Sequence, residues 1–228
     1  VAARLAARRG RGGIVGVNLG ANKDSADRVE DFATCLRRLD GLADFFTVNI
    51  SSPNTPGLRA LQGRAPLDDL LSRVVAARRT MTKPAPLFLK IAPDLADEDK
   101  ADIAAAVRAA GIDALIVSNT TIERPSSLRS AHAAEKGGLS GAPLFAPSTK
   151  VLKEFHAALG GAIPLIGVGG VSSARDAYKK ILAGASLVQL YTALIYQGPS
   201  LPSRILRELP DFLLADGFAI VADAVGKG

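Results

Sequence analysis

The sequence predicts an α/β fold, a (β/α)8 TIM barrel of which about six strand–helix units fall within the 228 residues. Three observations lead there. Short runs rich in Val, Ile, Leu and Phe alternate with stretches of helical spacing, which means a parallel sheet with right-handed crossovers. The runs are nearly continuous in apolar residues, as suits strands buried on both faces. Polar residues or glycines stand at or just past the C-terminal end of almost every run. A closed barrel gathers all those ends at one mouth, whereas an open sheet gathers only those beside its switch point.

A charged, helix-like stub (residues 1–13) precedes the first strand, Ile14–Leu19, which carries Asn18. A helix over Ser25–Leu39 follows, then a second strand, Phe45–Ile50, which carries Asn49. After a loop come a helix at Pro66–Ala77 and a third strand, Leu87–Ile91, with Lys90 near its end. The helix Ala96–Ala110 leads to the strand Leu115–Ser118, followed by Asn119. The helix Pro147–Leu159 leads to the strand Pro164–Val168, closed by Gly169 and Gly170. The helix Ser173–Ala183, the strand Leu187–Tyr191, Thr192 and a helix at Ser200–Ala215 complete the order. With no linker or low-complexity stretch, residues 1–228 read as one domain. Eight strands close a barrel, so the stub is expected to be the remnant of a preceding helix, with two strand–helix units ahead of it.

At 48% hydrophobic and 22% charged residues the composition is that of an ordinary globular domain. The single cysteine, Cys35, excludes an internal disulfide and reads as a small apolar filler on a helix. The net charge of +6 is spread out except at Arg4, Arg8, Arg9 and Arg11; with no Trp and three Tyr, the chain offers no nucleic-acid platform. No apolar run approaches the ~18 to 20 residues that span a bilayer.

Ile163-Pro-Leu-Ile-Gly-Val-Gly-Gly-Val-Ser172 is a strand ending in glycines before a helical pattern. It reads either as a phosphate cradle, because glycines let backbone N–H groups approach an anion, or as a tight strand-to-helix turn. Gln189-Leu-Tyr-Thr192 adds donors where barrels place phosphate sites. Lys90 points a cation from a buried strand into the mouth, either to hold negative charge or to reach solvent. In Asn49-Ile-Ser-Ser-Pro-Asn-Thr-Pro-Gly57 two prolines restrict the loop around Ser52 and Asn54. No Gly-x-Ser-x-Gly elbow surrounds Ser52, and His132 and His156 sit in ordinary contexts, so a Ser-His-Asp hydrolase is not expected. A serine base here must pass its proton along water or another hydroxyl. Asn119 and Thr120 supply amide and hydroxyl groups suited to a ring of alternating carbonyl and N–H groups. No His or Cys pair has metal-ligand spacing.

Taken together, Gly16-Val-Asn-Leu-Gly-Ala-Asn-Lys23, Val48-Asn-Ile-Ser-Ser-Pro-Asn-Thr-Pro-Gly-Leu-Arg59, Leu89-Lys-Ile-Ala-Pro-Asp-Leu95, Ser118-Asn-Thr-Thr121, Gly137-Gly-Leu-Ser-Gly-Ala-Pro-Leu144, Gly167-Val-Gly-Gly-Val-Ser172 and Val188-Gln-Leu-Tyr-Thr192 resemble the class 2, quinone-linked dihydroorotate dehydrogenases. Class 1 enzymes resemble the loop but carry Cys at the position of Ser52. The resemblance implies an oxidoreductase of pyrimidine (UMP) synthesis that converts (S)-dihydroorotate to orotate with flavin mononucleotide (FMN) as hydride acceptor and quinone as final acceptor. It implies that Ser52 is the catalytic base, with Thr55 a helper in relaying the proton. Asn18, Asn49, Lys90, Ser118, Gly141, Gly170, Tyr191 and Thr192 would hold FMN, Ser118 replacing the family's usual Thr. Asn49, Asn54, Asn119 and Thr120 would meet orotate. Family members also carry N-terminal helices that touch the membrane, which implies a peripheral membrane protein. Two alternatives stand beside this reading: another FMN-dependent pyrimidine oxidoreductase, and a non-catalytic barrel fragment.

Overall fold

Six parallel strands alternate with helices in a computed structural model that describes residues Val1–Gly228. After α1 (Ala2–Ala6) come β1 (Gly16–Leu19), α2 (Arg28–Arg38), β2 (Phe45–Asn49), α3 (Arg64–Arg79), β3 (Leu87–Ile91), α4 (Asp97–Ala110) and β4 (Ala114–Val117). Next are α5 (Phe145–Leu159), β5 (Leu165–Val168), α6 (Ala174–Leu182) and β6 (Ala185–Gln189). The helices α7 (Thr192–Gln197), α8 (Leu201–Ala215) and α9 (Val221–Ala224) end the chain. Strand order follows the sequence from β1 to β6, all parallel, the arrangement of six of the eight units of a (β/α)8 barrel.

Side chains alternate across each strand, and the two faces of the sheet differ sharply. On the outer face Phe46, Val48, Leu87, Leu89, Ile91, Leu115 and Val117 join apolar residues of the surrounding helices in a core of 35 buried residues. On the inner face only Ala114, Ile116 and Ile166 are buried together, with Phe88 and Val168 packed on them. Phe45 stacks on Phe88 with ring centroids 4.9 Å apart. The expectation of strands buried on both faces therefore holds for β4, whose four residues are all buried, and fails at the rims. β1 and β6 pair on one side only, and Leu187 of β6 is 61% exposed.

Boundaries differ for physical reasons. β6 begins at Ala185 and ends at Gln189, so Tyr191 lies beyond it; β1 begins at Gly16 rather than Ile14. In both, the apolar run and the hydrogen-bonded ladder are offset. α3 and α5 begin two residues ahead of Pro66 and Pro147. A first-turn N–H has no intrahelical acceptor, so proline is tolerated there. α7 went unpredicted because its Ile195 and Tyr196, 73% and 84% exposed, form no buried stripe. The N-caps are chemical: Asp27 accepts from Glu30 N at α2, and Ser173 accepts from Asp176 N at α6. Cys35 is half-buried against the outer core. No helix is long and apolar enough to cross a membrane.

Candidate active site

Register brings the polar residues of the inner face together. Lys90 stands two residues beyond Phe88 and shares its face, and Asn49 is its partner across the β2–β3 ladder. Burial pushes the Lys90 ammonium below the ordinary lysine pKa, and no carboxylate offsets that shift. An ammonium withdrawn from water without a counter-ion is costly unless an anion or strong acceptor meets it. Beside it Asn119 Nδ2 donates to Asn49 Oδ1 at 3.2 Å and to Ser51 Oγ at 3.0 Å. Ser51 Oγ donates to the same Asn49 Oδ1 at 2.8 Å, and Thr120 N donates to Asn119 Oδ1 at 2.8 Å. The network fixes both amide planes.

A cleft of about 320 Å3 opens at the C-terminal ends of β3 to β6. Lys90, Ser118, Asn119, Thr120, Gly141, Gly170, Tyr191 and Thr192 line it, eight of the residues singled out from sequence. Its far wall is the turn after β5. The N–H groups of Gly169, Gly170 and Val171 donate to no acceptor within the chain, whereas Ser172 N and Oγ are both taken by Asp176 Oδ2 at 3.0 and 2.9 Å. Gly170 has φ 70°, and a Cβ there would stand 2.7 Å from both N and Cα of Phe145. Both readings of the glycine run therefore have support: α5 packs on this turn closely enough to require glycine, and the turn leaves three amides for a ligand. On the opposite rim Thr192 Oγ1 donates to Ser140 Oγ at 2.9 Å.

Ser52 lies beside this cleft rather than in its lining, half-buried, with its Oγ accepting from Asn54 N at 3.3 Å. Pro53 and Thr120 both crowd against Gly138, which joins the Ser52 loop to the cleft. Neither histidine makes a side-chain hydrogen bond to Ser52. His132 is exposed and lies 2.8 Å from Glu135, and His156 packs against Gly184 and Gly226. Asn54 and Asn18 are exposed and outside the cleft lining; Asn18 sits on β1 opposite Thr47, at the open rim of the sheet. Thr55 is half-buried.

Several contributing residues had no assigned role in the sequence reading. Arg59 Nε donates to Ser51 O at 3.1 Å and its Nη2 to Thr120 O at 2.9 Å, so one side chain joins the loops after β2 and β4. Asp94, after β3, accepts from Arg59, Thr121 Oγ1 and Ile122 N. Arg59 closes the stretch Val48–Arg59 and Asp94 falls within Leu89–Leu95, but no local pattern pairs them. Gln197, on the unpredicted α7, donates to Ser172 O at 3.0 Å.

The dihydroorotate dehydrogenase family model matches residues 1–213. The "Dihydroorotate dehydrogenase (quinone)" of Parvibaculum lavamentivorans is 59% identical over 223 residues, covering 98% of this chain and 63% of that protein. Its namesake from Cereibacter sphaeroides is 57% identical over 229 residues, covering 100% and 64%. The crystal structure of Eimeria tenella DHODH in complex with ferulenol superposes with a TM-score of 0.94 at 39% identity, covering 99% of this chain and 67% of that one. Its ligand-free form superposes at 0.91 and 41% identity, covering 96% and 65%. The chain thus spans slightly under two thirds of the curated relatives' length.

Proposed function

Because this chain belongs to the dihydroorotate dehydrogenase family, we propose that the whole protein oxidises (S)-dihydroorotate to orotate, with FMN as hydride acceptor and a quinone as final electron acceptor. The observation that carries this reading is Lys90: a desolvated cation with no counter-ion in the chain, beside fixed amides and across a cleft from three unpaired N–H groups. Such a donor set fits a ligand with an anionic phosphate at one end and an electron-accepting ring at the other. Lys90, Asn49 and Ser118 would hold the ring, Gly141, Gly170, Tyr191 and Thr192 the phosphate end, and Asn18 would complete the site from β1. FMN, when bound, supplies the hydride acceptor.

The chain's own residues would do the rest. Asn49, Asn54, Asn119 and Thr120 present amide and hydroxyl groups to the pyrimidine ring, two of them with planes already fixed. Ser52 takes the proton from C5 of the substrate, and Thr55 or water carries it onward, since no histidine bonds to its Oγ. Membrane contact belongs to the same proposal, because a membrane quinone must be met at the bilayer. The test is anaerobic: dihydroorotate bleaches the yellow flavin absorbance of the purified whole protein and dihydrouracil does not. A colourless protein, or bleaching by both, would overturn the reading.

A further inference from the structure

Lys180 of α6 is fully buried and lies outside the cleft lining. Its Nζ donates to Ser148 Oγ at 2.7 Å and to Val168 O at 3.4 Å, and lies 5.1 Å from the centre of the Phe145 ring. Ser148 Oγ in turn lies 2.6 Å from Leu144 O and 3.4 Å from Gly169 O. Leu144, Val168 and Gly169 all line the cleft, so Lys180 sits directly behind its wall, at the turn whose three N–H groups are unpaired. It forms no ion pair. The nearest carboxylate influence, Asp176 on its own helix, is engaged by Ser172, and α5 and β5 present only a hydroxyl, a ring and backbone carbonyls.

A buried ammonium without an anion is costly, and an effective dielectric well below that of water lets its field reach the cleft. We propose that Lys180 is a positioning residue for the anionic end of the cleft's ligand, holding the Gly169–Gly170 turn through Ser148 and favouring a phosphorylated ligand over its unphosphorylated counterpart. Charge and geometry act together here. The Val168 carbonyl accepts from Ser118 N at 3.3 Å and from the Lys180 ammonium at 3.4 Å, so the amine ties α6 to the end of β5, and its positive potential adds to that of the free amides. Lys90 serves the other end of the same cleft, so two lysines without an ion-pair partner bracket it.

The inference rests on the flavin reading, and FMN and riboflavin, which differ by the phosphate, separate the two. Binding of each to the whole apoprotein is followed by flavin fluorescence quenching, in wild type and in Lys180→Met. The expected result is an FMN affinity at least ten-fold weaker in the variant with riboflavin affinity changed less than two-fold. Equal weakening of both ligands, or no change in either, overturns the role of Lys180 and leaves the flavin reading intact. A wild-type protein that binds neither overturns both. Should Lys180→Met not fold, Ser148→Ala keeps the charge and removes the hydroxyl link to the turn. An FMN-selective loss there supports the inference, and a loss shared with riboflavin or none at all defeats it.

Discussion

Arg59 Nη1 donates to Asp94 Oδ2 at 2.8 Å, and the two side chains are only 21% and 13% exposed. The same guanidinium reaches the Ser51 and Thr120 carbonyls, so three barrel-mouth loops, after β2, β3 and β4, meet on one planar group. Lysine could not replace it, because the ammonium lacks the fork of donors. Breaking such a pair leaves Asp94 with two donors, Thr121 Oγ1 and Ile122 N, and one lone charge. Arg59→Met is therefore expected to lower unfolding stability by roughly 2 to 4 kcal/mol in urea titration. On the proposed chemistry kcat should fall more than FMN affinity does, since the Ser52 loop loses its anchor while the cleft keeps its far wall.

Ser52→Ala tests the base. The Ser52 side chain accepts one backbone bond at 3.3 Å, so its loss should leave folding nearly unchanged. General-base catalysis contributes typically ~100- to 10,000-fold, and flavin reduction by dihydroorotate should slow by that factor with flavin still bound. Stopped-flow bleaching checks it; a normal rate would remove Ser52 from the mechanism.

Lys90→Met separates ligand binding from folding. Lys90 has no carboxylate to abandon, so the variant should be as stable as wild type or up to ~2 kcal/mol more so. Its pKa is lowered in the fold, so the penalty is fully present at low pH and eases as pH rises toward the ordinary lysine value. The gain should accordingly be largest in acid. FMN affinity should fall at least ten-fold, measured by fluorescence quenching.

How far the sequence could be read follows from what each residue's neighbours contribute. The strand–helix order was legible because each run repeats locally, and Lys90 was legible because a lysine inside Leu87-Phe-Leu-Lys-Ile91 breaks an apolar strand. Lys180 was not. Beside Lys179 on a helix it resembles a solvated pair, and only the turn of about 100° per residue places one outside and the other in the interior. Arg59 and Asp94 are 35 positions apart, and nothing local marks them as partners. The exposure of Leu187 was likewise hidden, since it depends on β6 lacking a neighbour.

The buried Lys180 also makes stability depend on pH. Burial pushes its pKa down to about 7, from an ordinary value of 10.5, with Asp176 opposing the shift. Between those values the unfolded chain binds a proton that the folded chain does not, so stability rises with pH across the window, and the cost is greatest below it. The slope from one such group is at most about 1.4 kcal/mol per pH unit. Wild type should gain stability relative to Lys180→Met between pH 7 and 10 in urea titrations at fixed ionic strength. Parallel curves for the two proteins would show that Lys180 does not titrate there.

Gly170→Ala probes the cleft wall from the backbone side. At φ 70° an alanine costs about 1 kcal/mol before any contact is counted. Its Cβ would then stand 2.6 Å from Phe145 Cβ and 2.7 Å from Phe145 N and Cα, atoms of the first turn of α5 that no side-chain rotation can move. Relief requires α5 to shift away from the turn, which would also lengthen the 3.4 Å contact from Ser148 Oγ to Gly169 O. The summed loss should be roughly 2 to 4 kcal/mol, with weaker FMN binding because the three free amides move together. Phe145→Ala in the same chain should not restore stability, since Cβ, Cα and N remain. Restoration in the double variant, read by thermal unfolding, would show that the ring rather than the helix backbone sets the fit of this turn.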